Sequence, residues 1–155
     1  SNFPRAVQTA EILAPALGHL PIEVVPGVGE HDPGPICDGL KYTEFQARYG
    51  SEPDWNDPYR SYFEGGETMS AFHHRAASAL HEIADRHPGR TVVIACHGGV
   101  VDVAFRSFLR TPIAGNFELH TLNTSITSFE RIRSRRWKLE RYNDAAHLVG
   151  LPASS

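Results

Sequence analysis

The stretch TVVIACHGG, residues 91–99, decides the fold that the sequence predicts. Its first five residues are β-branched or apolar on both faces, which is typical of a strand buried inside a parallel sheet. Gly98 and Gly99 permit a tight turn, and apolar residues then recur at helical spacing. These residues are Val101, Ala104, Phe105 and Phe108. A strand that turns directly into a helix is typical of α/β proteins.

A long amphipathic helix precedes this strand. Its apolar face starts after Thr68 and ends before Pro88-Gly89. The residues of this face are Met69, Phe72, Ala76, Ala79, Leu80 and Ile83. A second candidate strand, Ile22–Val25, lies between two prolines. Helix, strand and helix in this order predict a three-layer α/β/α sandwich around a mostly parallel central sheet.

Three further regions surround this unit. At the start, Ser1 is a good cap for a first helix. Near the C-terminus, Ile126–Ile132 and Trp137–Tyr142 flank a basic turn and predict an antiparallel hairpin at the sheet edge. Residues 40–66 combine proline, glycine and aromatic side chains, and they are expected to form a lid or insertion. We therefore expect a single domain over residues 1–155.

Charge and cysteine content limit the functions that the chain can have. A formal net charge of −3 gives no general attraction for polyanions, so nucleic-acid binding is not expected. The longest apolar runs are too short to span a bilayer, so no membrane association is expected. Cys37 and Cys96 form no CxxC motif, which favours reduced thiols and a cytoplasmic location. No histidines show the spacing of H-E-x-x-H, so no metal site is predicted.

His97 is the first candidate for chemistry. It follows the end of the predicted central strand, where α/β sheets place their ligands. Gly98 opens the next helix, whose free N–H groups and positive dipole end favour an anion such as a phosphoryl group. A core histidine before an ordinary turn explains the same residues equally well. Cys96 should face the other side of the strand, and a cysteine phosphatase loop is excluded because Asp102 stands where its arginine is required.

Arg5 is the second candidate. A cation in the first turn of a helix opposes the helix dipole unless an anion compensates it. A guanidinium can also hold two phosphate oxygens at once, which a lysine cannot do. An exposed or salt-bridged arginine is the alternative explanation.

Five segments resemble, in the right order, the motifs of the histidine phosphatase superfamily, the phosphoglycerate-mutase-like enzymes. Residues 1–11 are similar to S-x-x-x-R-A-x-Q-T-A-E, residues 65–68 to G-G-E-S/T and residues 96–100 to the segment around H-G-G. Asn123–Ile126 is similar to N-x-S-I, and Arg141–Leu148 contains N-D-x-x-H-L. The resemblance covers nearly the whole chain.

This resemblance implies an enzyme that transfers a phosphoryl group through a phosphohistidine and needs no cofactor. It also implies that the attacking histidine lies in an R-H-G motif on a first strand, well before the helix of Arg5. None of the nine histidines stands between an arginine and a glycine. The segment with the nucleophile is therefore expected to be missing from the N-terminus of the sequence.

The resemblance also assigns the other roles on this chain. Arg5 and His97, together with the Gly98 turn, would bind the phosphoryl oxygens. The family's proton donor is an acid in the loop after the second strand, where Glu30 is preferred to Asp32. The catalytic residues are thus expected to be Glu30 and His97.

These roles predict a phosphomonoester hydrolase with a small phosphorylated substrate. A cofactor-dependent phosphoglycerate mutase is the alternative, which is disfavoured because a mutase uses a long basic insertion to bind its substrate. Residues 40–66 contain only three cations, namely Lys41, Arg48 and Arg60. A non-catalytic phosphate-binding or interaction module stays open because the R-H-G segment is absent. A homodimer is compatible with the sequence.

Overall fold

The computed structural model describes residues 1–37, 39–49, 57–113 and 117–151. Within these ranges the chain forms four α-helices: α1 Pro4–Leu13, α2 Tyr42–Tyr49, α3 Met69–Arg86 and α4 Gly98–Leu109. Two strands, β1 Ile126–Arg133 and β2 Arg136–Asp144, form a hairpin. Short 3-10 turns occupy Pro26–Val28, Pro35–Cys37 and Ala146–Leu148. None of these described helices is long and apolar enough to cross a membrane.

Local chemistry fixes where the helices begin. Thr68 caps α3, because its Oγ1 accepts a hydrogen bond of 3.0 Å from the Ala71 N–H. The predicted cap of α1 is wrong. Phe3 occupies the cap position, and Pro4 starts the helix because its fixed φ suits the first helical residue. Ser1 lies before the helix, where its Oγ accepts the Phe3 N–H.

α3 and α4 pack against each other and form the main apolar core. The residues that they bury are Phe72, Ala76, Leu80, Ile83, Val100, Val103, Ala104 and Phe108. The apolar face predicted for α3 is confirmed. The apolar face predicted for α4 is right only in part: Ala104 and Phe108 are buried, whereas Val101 and Phe105 are only partly buried. Val100 and Val103, which the spacing did not select, are buried because α4 contacts both α3 and β2.

The C-terminal hairpin packs on α4. Its strands pair antiparallel, from the Ile126 and Asp144 pair to a two-residue turn at Ser134-Arg135. Trp137 stacks on Phe108 with ring centroids 3.9 Å apart, which fastens the sheet to the helix. The predicted hairpin is confirmed. Its place at the edge of a larger sheet stays a prediction, since β1 and β2 form the only ladder among the described residues.

Two extended segments, Pro21–Val25 and Thr91–Ala95, lie where the sequence predicts parallel strands. Neither has a ladder partner in the described part of the chain, so neither forms a strand there. Together with the apolar face of α1 they line a groove of about 460 Å³. Val24 and Val93 in these segments are 51% and 57% exposed. The parallel sheet and the three-layer arrangement therefore stay a prediction.

α2 lies within residues 40–66, the segment predicted as a lid. The ring of Phe45 contacts Phe63 edge to face, with centroids 5.3 Å apart. Just after this segment, the Glu67 N–H donates to the Asp32 carbonyl at 2.7 Å and joins α3 to the preceding loop. Residues 50–56 lie outside the described ranges, and the role of the segment as a lid stays a prediction.

Candidate active site

His97 occupies the position just before α4 and is buried, with 9% of its surface exposed. Its Nε2 lies 2.8 Å from Ser1 Oγ, which accepts a hydrogen bond of 3.1 Å from the Phe3 N–H. Because this oxygen already accepts the amide, its own proton can be donated to Nε2. The arrangement therefore suits a neutral imidazole that carries its proton on Nδ1.

The surroundings of His97 favour its neutral form. Burial lowers the pKa of His97 below the ordinary value of 6.5, and the positive charge of Arg5 lowers it further. The Glu30 carboxylate acts in the opposite direction and raises this pKa. A bound anion would also raise the pKa, because it would attract the imidazolium. His97 is thus placed to take up a proton when an oxyanion enters.

Phe3 contacts both of the predicted phosphate ligands. The Arg5 guanidinium carbon is 5.0 Å from the Phe3 ring centroid, and the ring centroids of Phe3 and His97 are 5.1 Å apart. Arg5 lies in the first turn of α1, as predicted, and is exposed. One aromatic ring therefore keeps the guanidinium and the imidazole close together at the start of α1.

Glu30 reaches the first turn of α4. Its Oε2 accepts the Gly99 N–H at 3.0 Å, and its Oε1 accepts the His31 N–H at 2.9 Å. A Cβ on residue 99 would stand 2.2 Å from Glu30 Oε1, so only glycine lets the carboxylate approach this closely. The carboxylate is therefore held at the positive end of α4, next to His97.

The structure brings the residues singled out in the sequence to one place. Those that lie around the N-terminus of α4 are Arg5, Glu30, His97 and Gly98. Asp32, the less preferred acid, is exposed and accepts the Gly34 N–H at 2.9 Å, as in an ordinary turn. The amide that meets the acid belongs to Gly99, which the sequence indicated only as a turn residue. The catalytic roles of these residues stay predictions.

An arginine on the other side of the loop escaped the sequence analysis. Arg75 of α3 binds the Glu67 carboxylate through Nε at 2.9 Å and Nη2 at 2.8 Å. The same guanidinium donates to three carbonyls of the loop that carries the acid. They belong to Gly27 at 2.9 Å, Gly29 at 3.2 Å and Glu30 at 3.3 Å. The only sequence signal was a glutamate and an arginine eight residues apart across a helix start, which is common in surface helices.

Cys96 takes no part in this cluster. Its side chain packs against the apolar core, and burial raises the pKa of its thiol to about 11. Such a thiol is a poor nucleophile at neutral pH, which agrees with the packing role expected for it. In the described ranges, no three His, Cys, Asp or Glu side chains form a group that would hold a metal ion.

Comparison with known proteins identifies the class to which this geometry belongs. The family model of the histidine phosphatase superfamily (branch 1) matches residues 1–145. The chain therefore belongs to the histidine phosphatase superfamily, and the resemblance seen in its motifs is confirmed.

Individual relatives agree with this assignment. The chain is 29% identical to phosphoglycerate mutase-like protein 4 of Arabidopsis thaliana, over 96% of this chain and 64% of that protein. It is 27% identical to the metal-independent phosphoserine phosphatase of the same plant, over 96% of this chain and 61% of that protein. It thus spans less than two thirds of the length of either plant protein.

A solved structure shares the fold. Bacillus stearothermophilus YhfR superposes with a TM-score of 0.79 at 26% identity, over 96% of this chain and 73% of that one. The α/β class predicted from the sequence is therefore confirmed.

Proposed function

We propose that the protein is a phosphomonoester hydrolase that works through a phosphohistidine. The observation that carries the proposal is the Glu30 carboxylate, which is fixed 3.0 Å from the Gly99 amide beside His97 and Arg5. One acid and two basic groups at a helix N-terminus can bind a phosphoryl group and protonate a departing oxygen. The superfamily supports the same class of chemistry.

Arg5 and His97 stabilise the phosphoryl group during transfer. Negative charge on its oxygens is offset by the guanidinium and by an imidazole that takes up a proton as the substrate binds. The Gly98 N–H adds a donor at the start of α4. Glu30, in its protonated form, donates its proton to the leaving oxygen as the bond to phosphorus breaks, so the leaving group departs as an alcohol and Glu30 is left as the carboxylate.

The attacking group of this reaction lies outside the 155 residues. The family uses a histidine in an R-H-G motif, and the sequence contains no such motif. That histidine would form a nitrogen–phosphorus bond while the bond to the leaving oxygen breaks. Water would then attack the phosphohistidine and release inorganic phosphate. In this scheme His97 is a pocket residue.

We propose that an additional strand binds in the apolar groove. A strand between Pro21–Val25 and Thr91–Ala95 would pair with both backbones and cover their exposed valines. If it runs parallel to them, its C-terminal end lies at the same edge of the sheet as His97. This strand would complete a three-layer sandwich with a mostly parallel sheet, in one domain over residues 1–155 with 40–66 as its lid.

We infer a small phosphorylated substrate and prefer hydrolysis to mutase chemistry. A mutase has to bind the charged groups of its substrate while the intermediate turns around. The segment 40–66 offers three cations for this purpose: Lys41, Arg48 and Arg60. The cysteine content favours an enzyme of the cytoplasm.

Leaving-group dependence tests the role of Glu30 in the protein of natural length. Glu30→Gln should slow hydrolysis of an alkyl phosphate by about 10² to 10⁴, the usual contribution of general acid catalysis. Hydrolysis of p-nitrophenyl phosphate should fall much less, because its phenolate leaves without a proton. Asp32→Asn, two residues further along the loop, is the matched control and should keep the ratio of the two rates. Equal losses for both substrates in Glu30→Gln would exclude Glu30 as the acid.

Trapping the intermediate separates catalysis from simple phosphate binding. The protein is mixed with substrate, quenched without acid and mapped by mass spectrometry. Phosphate is expected on the histidine of an R-H-G motif in the natural-length protein. Phosphate on His97 would contradict the assigned roles. Phosphate binding without turnover or covalent label would instead favour the non-catalytic module.

A further inference from the structure

We propose that Arg75 is a positioning residue, which holds the loop 27–31 so that the Glu30 carboxylate meets the N-terminus of α4. The inference rests on the proposed role of Glu30 as the proton donor. It adds the group that determines where the proton is delivered. Arg75 acts through the backbone of the loop, because its contact with Glu30 is to the carbonyl oxygen.

The Arg75 guanidinium fixes the path of the loop. Its Nη1 donates to the carbonyls of Gly27 and Gly29, and its Nη2 donates to the carbonyl of Glu30. Three carbonyls within four residues therefore point at one cation. Hydrogen bonds from a charged donor are stronger than those between neutral groups. The backbone of Glu30 is thus held from α3, while its side chain reaches across to α4.

Glu67 keeps the guanidinium in the orientation that the loop needs. It binds Arg75 with both carboxylate oxygens, at the residue before the α3 cap Thr68. This contact raises the pKa of Arg75 above its ordinary value, so the side chain stays charged. The Glu67 backbone joins the same loop, because its N–H donates to the Asp32 carbonyl and its own carbonyl lies 2.8 Å from His31 Nε2. Loop, helix start and ion pair form one unit.

Apolar contacts seat the same loop on α3 independently of Arg75. A Cβ at residue 27 would lie 2.6 Å from the Ala79 Cβ, so glycine allows the backbone to lie directly on the helix. Val28 beside it is only 1% exposed and belongs to the core. Removal of Arg75 should therefore leave the fold in place while the Glu30 backbone becomes free to shift.

Arg86 offers a matched control on the same helix. It pairs with Glu23 at 2.9 Å, and both side chains are largely exposed, at 41% and 59%. An exposed pair of this kind contributes little. Arg75, by contrast, binds three backbone carbonyls and a carboxylate that is 16% exposed. A difference between the two arginines in one assay therefore measures the loop contacts of Arg75 together with its less exposed ion pair to Glu67.

The first measurement is hydrogen exchange in the natural-length protein labelled with 15N-glycine. Arg75→Met should speed exchange of the Gly99 N–H by about tenfold, because the carboxylate that protects it can move away. Arg86→Met should leave this rate unchanged. If Arg75→Met does not fold, Glu67→Gln can be measured in the same way. This variant removes the ion pair that orients the guanidinium but keeps Arg75 itself.

The second measurement is steady-state kinetics with two substrates. Arg75→Met should lower kcat for an alkyl phosphate by roughly 10- to 100-fold, a part of the general acid contribution, and change p-nitrophenyl phosphate much less. KM should change little. Arg75→Lys should restore kcat only in part, because an ammonium cannot copy the planar fork. The control Arg86→Met should retain both rates.

The outcomes separate this inference from the proposed function. If Glu30→Gln shows the leaving-group effect and Arg75→Met slows both substrates equally, Arg75 is not a positioning residue and the function stands. If Glu30→Gln shows no such effect, the acid role fails, and exchange at Gly99 alone decides whether Arg75 positions the carboxylate. Unchanged exchange in Arg75→Met overturns the inference in either case.

Discussion

The loop 27–31 follows Pro21–Val25, which lines the groove together with Thr91–Ala95. The backbone polar groups of the loop have hydrogen-bond partners, whereas those of the groove lack ladder partners among the described residues. In the loop, the Arg75 guanidinium donates to three carbonyls, and the Glu30 carboxylate accepts two amide N–H groups. In the groove, two apolar segments have no ladder partner among the described residues, and their valines are half exposed. The loop is closed by side chains of the chain itself, whereas the groove is open.

This difference shows which contacts position the acid and which part of the fold stays open. The position of the acid rests on polar contacts between residues far apart in sequence, all of them within the described part of the chain. The additional strand that we propose would stabilise the groove, because paired backbone groups and covered valines are more stable than unpaired and exposed ones. Changes in the loop should therefore harm catalysis before they harm folding. Changes in the groove should matter only when it is filled.

Gly99→Ala should have the largest effect, because it fills the space that the acid uses. The new methyl would stand 2.2 Å from Glu30 Oε1, so the carboxylate has to move. In the natural-length protein, kcat for an alkyl phosphate should fall by about 10² to 10⁴, as on loss of a general acid. In Gly98→Ala the methyl meets the Thr121 Cβ at 3.7 Å, an ordinary contact, and the loss should be much smaller. Equal losses would show that the turn, and not the acid, is sensitive.

Phe108→Ala tests the core on which both regions depend. Phe108 is buried at 9% exposure and stacks on Trp137. Its removal should lower the free energy of unfolding by about 3–5 kcal/mol, measured by denaturant titration. Phe105→Ala, on a less buried side of the same helix, should cost less. A Phe108→Ala protein with normal stability would mean that the hairpin does not pack on α4 as described.

The loop side can also be probed through the pH dependence of anion binding. Because the pKa of His97 lies below 6.5 in the empty site and an anion raises it, binding takes up a proton. The affinity for sulfate, which does not titrate near neutrality, should rise by at most about tenfold per pH unit as pH falls toward the pKa of His97 in the empty site, below 6.5, and should level off beneath it. Calorimetry on the protein and on His97→Gln checks this, and the variant should lose the pH dependence. An affinity that falls with decreasing pH would reverse the assigned sign.

Val93→Thr should have the smallest effect, and it tests the open side. Val93 is 57% exposed, so in the 155-residue chain the substitution should change the free energy of unfolding by less than about 0.5 kcal/mol. Val103→Thr, at a residue 2% exposed, should cost about 1–3 kcal/mol, because it buries a hydroxyl. In the natural-length protein Val93→Thr should approach the cost of Val103→Thr. An equally small cost at both lengths would contradict a strand in the groove.

Much of the fold was predictable because it follows from local periodicity. The start of α3 at Thr68 and the hairpin before Asp144 follow from a cap, apolar spacing and a turn. The cap of α1 was not, since Ser1 and Pro4 both suit a helix start and only the folded chain shows that Pro4 is used. The strand prediction at Thr91–Ala95 depended on partners, which no local pattern supplies.

The site was predictable to the level of residues but not of contacts. Arg5, Glu30 and His97 came from motifs and meet at one helix end. Gly99 was indicated for its turn, while its contact with Glu30 joins residues 69 positions apart. Arg75 gave only the weak signal of its spacing from Glu67, because its loop partners are backbone carbonyls, which every residue possesses. Side-chain type therefore predicts which residues carry the chemistry better than it predicts which residues hold them in position.

The rate at which Cys96 reacts can report on motion of the segment beside the site. Thiolate is the form that reacts, and a thiol with a pKa of about 11 supplies little of it at neutral pH. In a Cys37→Ser background, maleimide should therefore modify the partly buried Cys96 slowly at neutral pH, and opening of the backbone between Ala95 and His97 should speed this labelling. The labelling rate then reports how readily the backbone between Ala95 and His97 opens. A ligand that ties the N-terminus of α4 to α1 should lengthen the interval between openings.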